Sequence, residues 1–205
     1  MNFANKVVLV IGASSGIGAS TAIQFAEANK HGKTPLIIKK HNKLDILVNN
    51  AGMTRYGTIL DGRLLQSYDG TMQTNLRGLI HLTQLAAPHL VKTKGNIINV
   101  SSIAATTTPL LPAFLAYSIS KAGLNQFTRG AASELAPYGV RVNAVSPGPV
   151  KTDFVENSGF VDFGDVKFTI PLNRISEPEE VAQLILFLAN SSVIFGLNLN
   201  RFWLI

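Results

Sequence analysis

Short runs of Val, Ile and Leu alternate along the chain with longer segments of mixed polarity. The runs are Val7–Ile11, Leu36–Ile38, Leu44–Val48, Asn96–Val100 and Arg141–Val145, and the mixed segments cover 16–29, 70–91, 116–136 and 178–189. A short continuous apolar run is the pattern of a strand buried on both faces, and helical-length segments between such runs are the crossovers that parallel strands need. The pattern predicts an open α/β sheet. The stretches 104–112 and 151–176 read as loops, because Thr and Pro gather in the first and Gly, Asn and Asp in the second. Both follow a predicted strand, which makes both candidate walls of a site. No repeat and no Pro/Gly/Ser-rich linker divides the chain, so residues 1–205 are expected to form one domain.

Composition narrows the chemistry. The 205 residues are 46% hydrophobic and 15% charged, which supplies a sizeable core and excludes disorder. The apolar stretch 181–189 falls short of the roughly 20 residues of a membrane span, so no membrane partner is expected. No secretion-signal pattern precedes Val7, and a cytoplasmic setting is expected. The chain has no cysteine, which excludes disulfides, thiolate catalysis and Cys-ligated metal, and no metal site is expected. Lys and Arg outnumber Asp and Glu by 18 to 12, and the resulting net charge of +6 suits an anionic partner. The one local basic cluster, Lys39, Lys40, His41 and Lys43, lacks the interleaved aromatics of a nucleic-acid platform. A phosphate-bearing cofactor is therefore the expected anion, and nucleic acid is not.

The segment "VVLVIGASSGIGAS" places Gly12, Gly16 and Gly18 directly after the first predicted strand and at the mouth of the next helix, with Ser14, Ser15 and Ile17 between them. Glycines there allow a tight turn and close backbone approach to a pyrophosphate, whose charge the helix N-terminus favours. The bland alternative is that they only let helix and strand pack closely. "YSISK" sets Tyr117 and Lys121 four residues apart, on one helix face. An ammonium beside a phenol would lower its pKa from about 10 toward working pH and make it a general acid or base, although a chance surface pair has the same spacing. "GNIINVSS" ends a strand in Ser101 and Ser102. These are either turn formers or, for one aimed into a cleft, a hydrogen-bond donor to a substrate carbonyl.

With "NNAG" at 49–52, "NLRG" at 75–78 and "SPGPVKTDF" at 146–154, these motifs resemble the short-chain dehydrogenase/reductase family in kind and order. The nearest likeness is to 3-oxoacyl-carrier-protein reductases and hydroxysteroid or carbonyl reductases. The resemblance implies a doubly wound, Rossmann-like parallel sheet and an NAD(P)-dependent interconversion of a secondary alcohol and a ketone, with NADP placed ahead of NAD. Tyr117 would exchange the proton with the substrate oxygen, Ser102 would polarise the carbonyl, Lys121 would hold the nicotinamide ribose and depress the Tyr117 pKa, and Asn75 would anchor a water relay to Lys121. Asn75 is otherwise a buried, backbone-capping amide. Asn49, Ala51 and Gly52 are expected in the turn near the adenosine half of the cofactor, with a structural role standing equally beside a binding one, and Pro147, Gly148, Val150 and Thr152 against its carboxamide. A homodimer or homotetramer through 70–91 and 116–136 is implied; separately, Phe154, Phe160, Phe163 and Phe168 within 151–176 suggest either a mobile apolar lid over a small apolar carbonyl or alcohol substrate or aromatics that simply pack against the sheet.

The chain also departs from that family. Only 37 positions separate Gly12 from Asn49, where two βαβ units of about 30 residues each are expected. The second strand and its neighbouring helices are thus expected to be lost, with "TPLIIKK" at 34–40 a remnant and junctions near Lys30–His31 and Lys40–His41. The residue that reads the ribose 2′ group belongs to the missing strand, and neither Glu27 nor Lys33 is assigned to it. Ile11 stands where the family has Thr, the Ser102–Tyr117 loop is long, and "VIFGLNLNRFWLI" resembles the last strand only at Gly196 and Leu199. A catalytically impaired relative that acts through association is the competing reading.

Overall fold

The structure is a computed structural model, and it describes residues 1, 3–28, 43–109, 112–154, 174–192 and 198–199. The remnant at 34–40, the junctions beside it, most of the basic cluster, and Phe160, Phe163 and Phe168 lie outside the described residues.

Strand β1 (Val8–Ile11) leads into helix α1 (Gly16–Ala28), and β2 (Ile46–Asn49) follows. A long helical segment comes next. Helix α2 (Leu64–Met72) passes through a π-helical turn, Gln73–Gly78, directly into α3 (Leu79–Thr93). Then come β3 (Asn96–Val100), α4 (Leu115–Leu135), β4 (Arg141–Val145), α5 (Pro178–Asn190) and the short β5 (Asn198–Leu199). The described strands form one parallel sheet in the order β1-β2-β3-β4-β5, the expected Rossmann-like α/β architecture. Among the described residues β1 has one neighbouring strand, β2, and the strand expected on its far side has no counterpart.

Helices cover both faces, which is why apolar residues dominate the strands. Ile46, Val48, Ile98, Val100 and Val145 turn to the face where Phe25 of α1 and Ile185 and Leu188 of α5 pack. Leu47, Ile97 and Val142 turn to the opposite face, against Leu90 of α3 and Ala131 and Ala132 of α4. The two-residue alternation of side chains thus feeds two cores from one strand. At the N-terminal edge of the sheet, Asp45 accepts from the Val7 N–H at 2.8 Å and pairs with Lys6 and Lys43, each at 3.2 Å. Burial alone would raise its carboxyl. The Val7 N–H and the two ammonium groups outweigh that and hold the pKa below the ordinary value, so β1 and β2 are pinned where they start.

Several expected boundaries move. The segment predicted as a helix over 70–91 begins at Leu64, and 103–114 contains two short 3₁₀ turns rather than plain loop. The β2 strand is shifted toward Asn49 from the apolar run at 44–48, because Leu44 and Asp45 form the entry to the strand. Leu199 does pair with Val145, as the likeness of the last strand suggested. Among the described residues no helix is long and apolar enough to cross a membrane.

Candidate active site

The C-terminal ends of β1 to β4 converge, and the candidate residues sit there. Four residues link β1 to α1, and Gly12 begins the link with φ +76°, a backbone that side-chain-bearing residues rarely adopt. A Cβ on buried Gly18 would strike the Gly12 carbonyl oxygen and come within 2.5 Å of Asn50 Nδ2. The first turn of α1 can therefore press onto the end of β1 only because this position lacks a side chain. Asn50 Nδ2 donates to the Gly12 carbonyl at 2.9 Å and locks the loop to the segment after β2. Ser14 and Ser15 stay exposed, and Ile17 turns into the core. The unpaired N–H groups of the first helical turn and its dipole give the loop the character of a phosphate cradle. Thr152, from the segment after β4, closes over it, with its Cγ2 2.8 Å from where a Gly16 Cβ would stand.

Ser102 follows β3, and its Oγ accepts from the Ala104 N–H at 3.2 Å, which caps the 3₁₀ turn and leaves the hydroxyl proton free to point elsewhere. The Ser102 side chain is also hydrogen-bonded to Tyr117, a contact that lowers the phenol pKa. The Tyr117 ring lies between Phe154, at 5.2 Å centroid to centroid, and Phe114, at 6.3 Å. Lys121, 3% exposed, crosses the same ring with Nζ 5.6 Å from its centroid and donates to the Val100 carbonyl at 2.7 Å. Its Nζ also lies 3.4 Å from where a Gly52 Cβ would be. Spacing along α4 thus puts phenol and ammonium together, as expected, with Ser102 brought to them from β3.

The direction of the phenol pKa is a correction. Burial pushes Tyr117 up to about 12, and the Ser102 hydrogen bond offsets only part of this. The net direction is therefore upward, with the Lys121 ammonium against the ring and its hydrogen bond given to the Val100 carbonyl. Burial also pushes Lys121 down, to about 8.

Asn75 lies in the π-helical turn and is fully buried. Its Oδ1 accepts from the Met53 N–H at 2.8 Å, and its Nδ2 donates to the Met53 carbonyl at 2.8 Å and to Ser120 Oγ at 3.0 Å. The side chain therefore clamps the backbone after "NNAG" and ties it to α4, the capping alternative to a relay. Ser120, which the motifs did not single out, passes the link on by donating to the Tyr117 carbonyl at 2.7 Å. Gly52 and Ala51 lie beside these groups, with Ala51 against Gly12 and Gly52 against Lys121.

Asn49 takes the structural one of its two readings. It is buried in β2, and its two amide hydrogens go to Thr83 Oγ1 at 3.1 Å and Asn99 Oδ1 at 2.9 Å. Those bonds hold the sheet together; the neighbouring Asn50 is the residue that reaches the glycine loop. Pro147 binds the Ile103 N–H through its carbonyl at 2.9 Å, and Gly148 continues half-buried behind it. Val150 bridges in parallel to Ser176, so the segment leaving the cleft and the one returning from it run side by side.

The sequence profile described as Enoyl-(Acyl carrier protein) reductase matches residues 35–199. A 3-oxoacyl-(acyl-carrier-protein) reductase of Thermotoga maritima is 33% identical over 96% of each chain. That alignment extends over 238 positions, more than this chain has, so parts of the relative have no counterpart here. A 7alpha-hydroxysteroid dehydrogenase of Paraclostridium sordellii is 32% identical over 91% of this chain and 85% of its own. A short-chain dehydrogenase/reductase of unknown function from Caenorhabditis elegans, crystallised with cofactor, is 35% identical with a TM-score of 0.83, covering 95% of this chain and 92% of that one. Relatives of one kind span nearly the whole chain, and the glycine loop, the tyrosine–lysine helix and the serine after β3 converge as in the motifs. The chain belongs to the short-chain dehydrogenase/reductase family.

Proposed function

We propose that this protein is a nicotinamide-dependent oxidoreductase that interconverts a secondary alcohol and a ketone, with Tyr117 as the proton-transferring group. The observation that carries the reading is the buried cluster in which Ser102 is hydrogen-bonded to Tyr117 while Lys121 lies across the phenol. The residues present fit a nicotinamide dinucleotide along one half of its length. The Gly12–Gly18 loop and the N-terminus of α1, with Ser14 and Ser15 at the loop's exposed rim, suit the diphosphate, and Pro147, Gly148, Val150 and Thr152 suit the carboxamide. Lys121 suits the ribose between them. When bound, the nicotinamide supplies or accepts the hydride.

For carbonyl reduction, a substrate oxygen would take the place between the Ser102 and Tyr117 hydroxyls. Tyr117, with its pKa near 12, holds its proton at neutral pH and is poised to deliver it as charge builds on that oxygen. Ser102 supplies a second, fixed donor to the same oxygen. The Lys121 charge beside the ring favours the phenolate that is left behind. Asn75 and Ser120 keep α4 and the Met53 backbone in place. Phe114 and Phe154 beside the phenol support an apolar body for the substrate. The named relatives act on 3-oxoacyl chains and hydroxysteroids, which have such bodies.

The net charge of +6 supports NADP ahead of NAD. Exposed Leu65, Leu85 and Ile119 on α2, α3 and α4 support a homo-oligomer, which light scattering would detect. A non-catalytic role through association has less support, because every side chain of the proposed proton transfer is in reach of the others. The test is a panel of 3-oxoacyl thioesters and ketosteroids with NADPH or NADH, read by loss of the reduced-nicotinamide absorbance. Turnover of an apolar ketone is expected. Cofactor binding without turnover of any would favour the association role.

A further inference from the structure

Helix α4 is tied to its surroundings by two links of the same form. Near its start, buried Asn75 of the π-helical turn donates from Nδ2 to Ser120 Oγ at 3.0 Å, and Ser120 donates back to the Tyr117 carbonyl at 2.7 Å. About two turns further on, buried Asn99 of β3 donates from Nδ2 to Thr128 Oγ1 at 2.9 Å, and Thr128 donates back to the Leu124 carbonyl at 2.8 Å. A hydroxyl that bonds back to its own helix is ordinary. Here each hydroxyl also accepts from an amide of another element, so each link fixes one particular turn of α4 to a neighbour. What the two turns carry differs. Leu124 is a core side chain, whereas Tyr117 is the phenol of the site. Tyr117 also lies in the first turn of α4, where backbone N–H groups lack intrahelical partners and helices open most readily. The N-cap there is Phe114, whose side chain makes no capping bond. The turn that carries the phenol is thus held from within, through Ser120.

We infer that Ser120 is a positioning residue for the proton transfer: tied to Asn75, it fixes the turn of α4 that holds the Tyr117 hydroxyl beside Ser102, a task that Thr128 does not share. The inference rests on the reading of Tyr117 as the proton-transferring group. The test compares Ser120→Ala with Thr128→Val in the full chain, by steady-state kinetics on a ketone that the native chain reduces and by ultraviolet titration of the tyrosines. Each variant deletes one buried hydroxyl from an equivalent link in one helix, so both should melt at a lower temperature. Ser120→Ala should lower kcat by about 10–100-fold, with KM for ketone and NADPH within about twofold of native, because the reacting group is misplaced while the binding groups stay. Its late-ionising tyrosine should move down from about 12 as the loosened turn admits water. Thr128→Val should keep kcat within about twofold and leave the titration unchanged. Native kcat and native titration in Ser120→Ala, or equal losses of kcat in the two variants, would overturn the inference and leave Ser120 a structural residue only. Native turnover in Tyr117→Phe, or no turnover of any ketone by the native chain, would instead overturn the proton-transfer reading beneath it. The titration needs no turnover, and still decides whether Ser120 sets the place of the phenol.

Discussion

Lys121 lies across the face of Tyr117, with Nζ 5.6 Å from the ring centroid, yet the hydrogen bond of that ammonium goes to the Val100 carbonyl at 2.7 Å. The lysine is thus a neighbour of the phenol and an anchor of β3 at once. Its burial has a consequence for stability that can be read against pH.

Burial lowers the Lys121 pKa from 10.5 to about 8, so between those values the unfolded chain holds more protons than the folded one. Below about pH 8 both states are protonated and this group adds no slope. Stability should rise with pH from about 8 toward 10. Denaturant midpoints at pH 7.5, 8.5 and 9.5 should show the rise in the native chain and its loss in Lys121→Met. Equal slopes in both would show that Lys121 titrates normally.

Tyr117 behaves in the opposite sense. Its pKa is raised from 10.0 to about 12, so the folded chain keeps this proton over a range in which the unfolded chain has released it, and stability falls as pH rises past 10. Of the four tyrosines, ultraviolet titration of the folded chain should show one that ionises late, and Tyr117→Phe should remove that component. A Tyr117 component near 10 would contradict the buried phenol.

Gly18 and Gly130 make a matched pair. A Cβ at Gly18 meets the Gly12 carbonyl and Asn50 Nδ2, whereas at Gly130, inside α4, nothing lies within 4 Å. Gly18→Ala should cost roughly 1–3 kcal/mol of stability through overpacking and weaken nicotinamide cofactor binding. Gly130→Ala should be stabilising by roughly 0.5–1 kcal/mol, since it removes helix-opposing freedom at no steric cost. Thermal melts of the two variants check both signs.

Asn75→Ala removes the partners of the Met53 N–H and carbonyl together, inside a fully buried site. A loss of roughly 2–4 kcal/mol is expected, from unmet buried polar groups. Ser120→Ala deletes one hydroxyl between two neighbours and should cost about 1 kcal/mol. Chemical denaturation of both variants measures the ratio, and equal costs would argue against the clamp.

The strands were legible because β2, β3 and β4 are covered on both faces, so apolar residues dominate each, with Asn49, Asn99 and Asn143 as buried exceptions. The π-helical turn was not, since "QTNLRG" differs from ordinary helix only in its hydrogen-bond geometry. Two adjacent asparagines hid which one faces the loop. Asn49 is in register with Asn99 inside the sheet, so the next residue, Asn50, is the one that emerges toward Gly12. That assignment needs the strand end, which the sequence placed one residue early. The direction of the phenol pKa is hidden from the sequence for a similar reason. The spacing of Tyr117 and Lys121 brings the chains together but does not say where the ammonium points or how much water is excluded. Spacing also drew attention to the tyrosine, serine and lysine while passing over Ser120, whose only signal is its position one residue before Lys121.

The most direct measurement is turnover of Tyr117→Phe alongside its calorimetric affinity for NADPH. The phenol oxygen is the only atom removed, so a loss of about 10²–10⁴-fold in turnover with cofactor affinity within a few-fold of the native chain is expected. Turnover unchanged in a variant that still binds NADPH would contradict Tyr117 as the proton-transferring group.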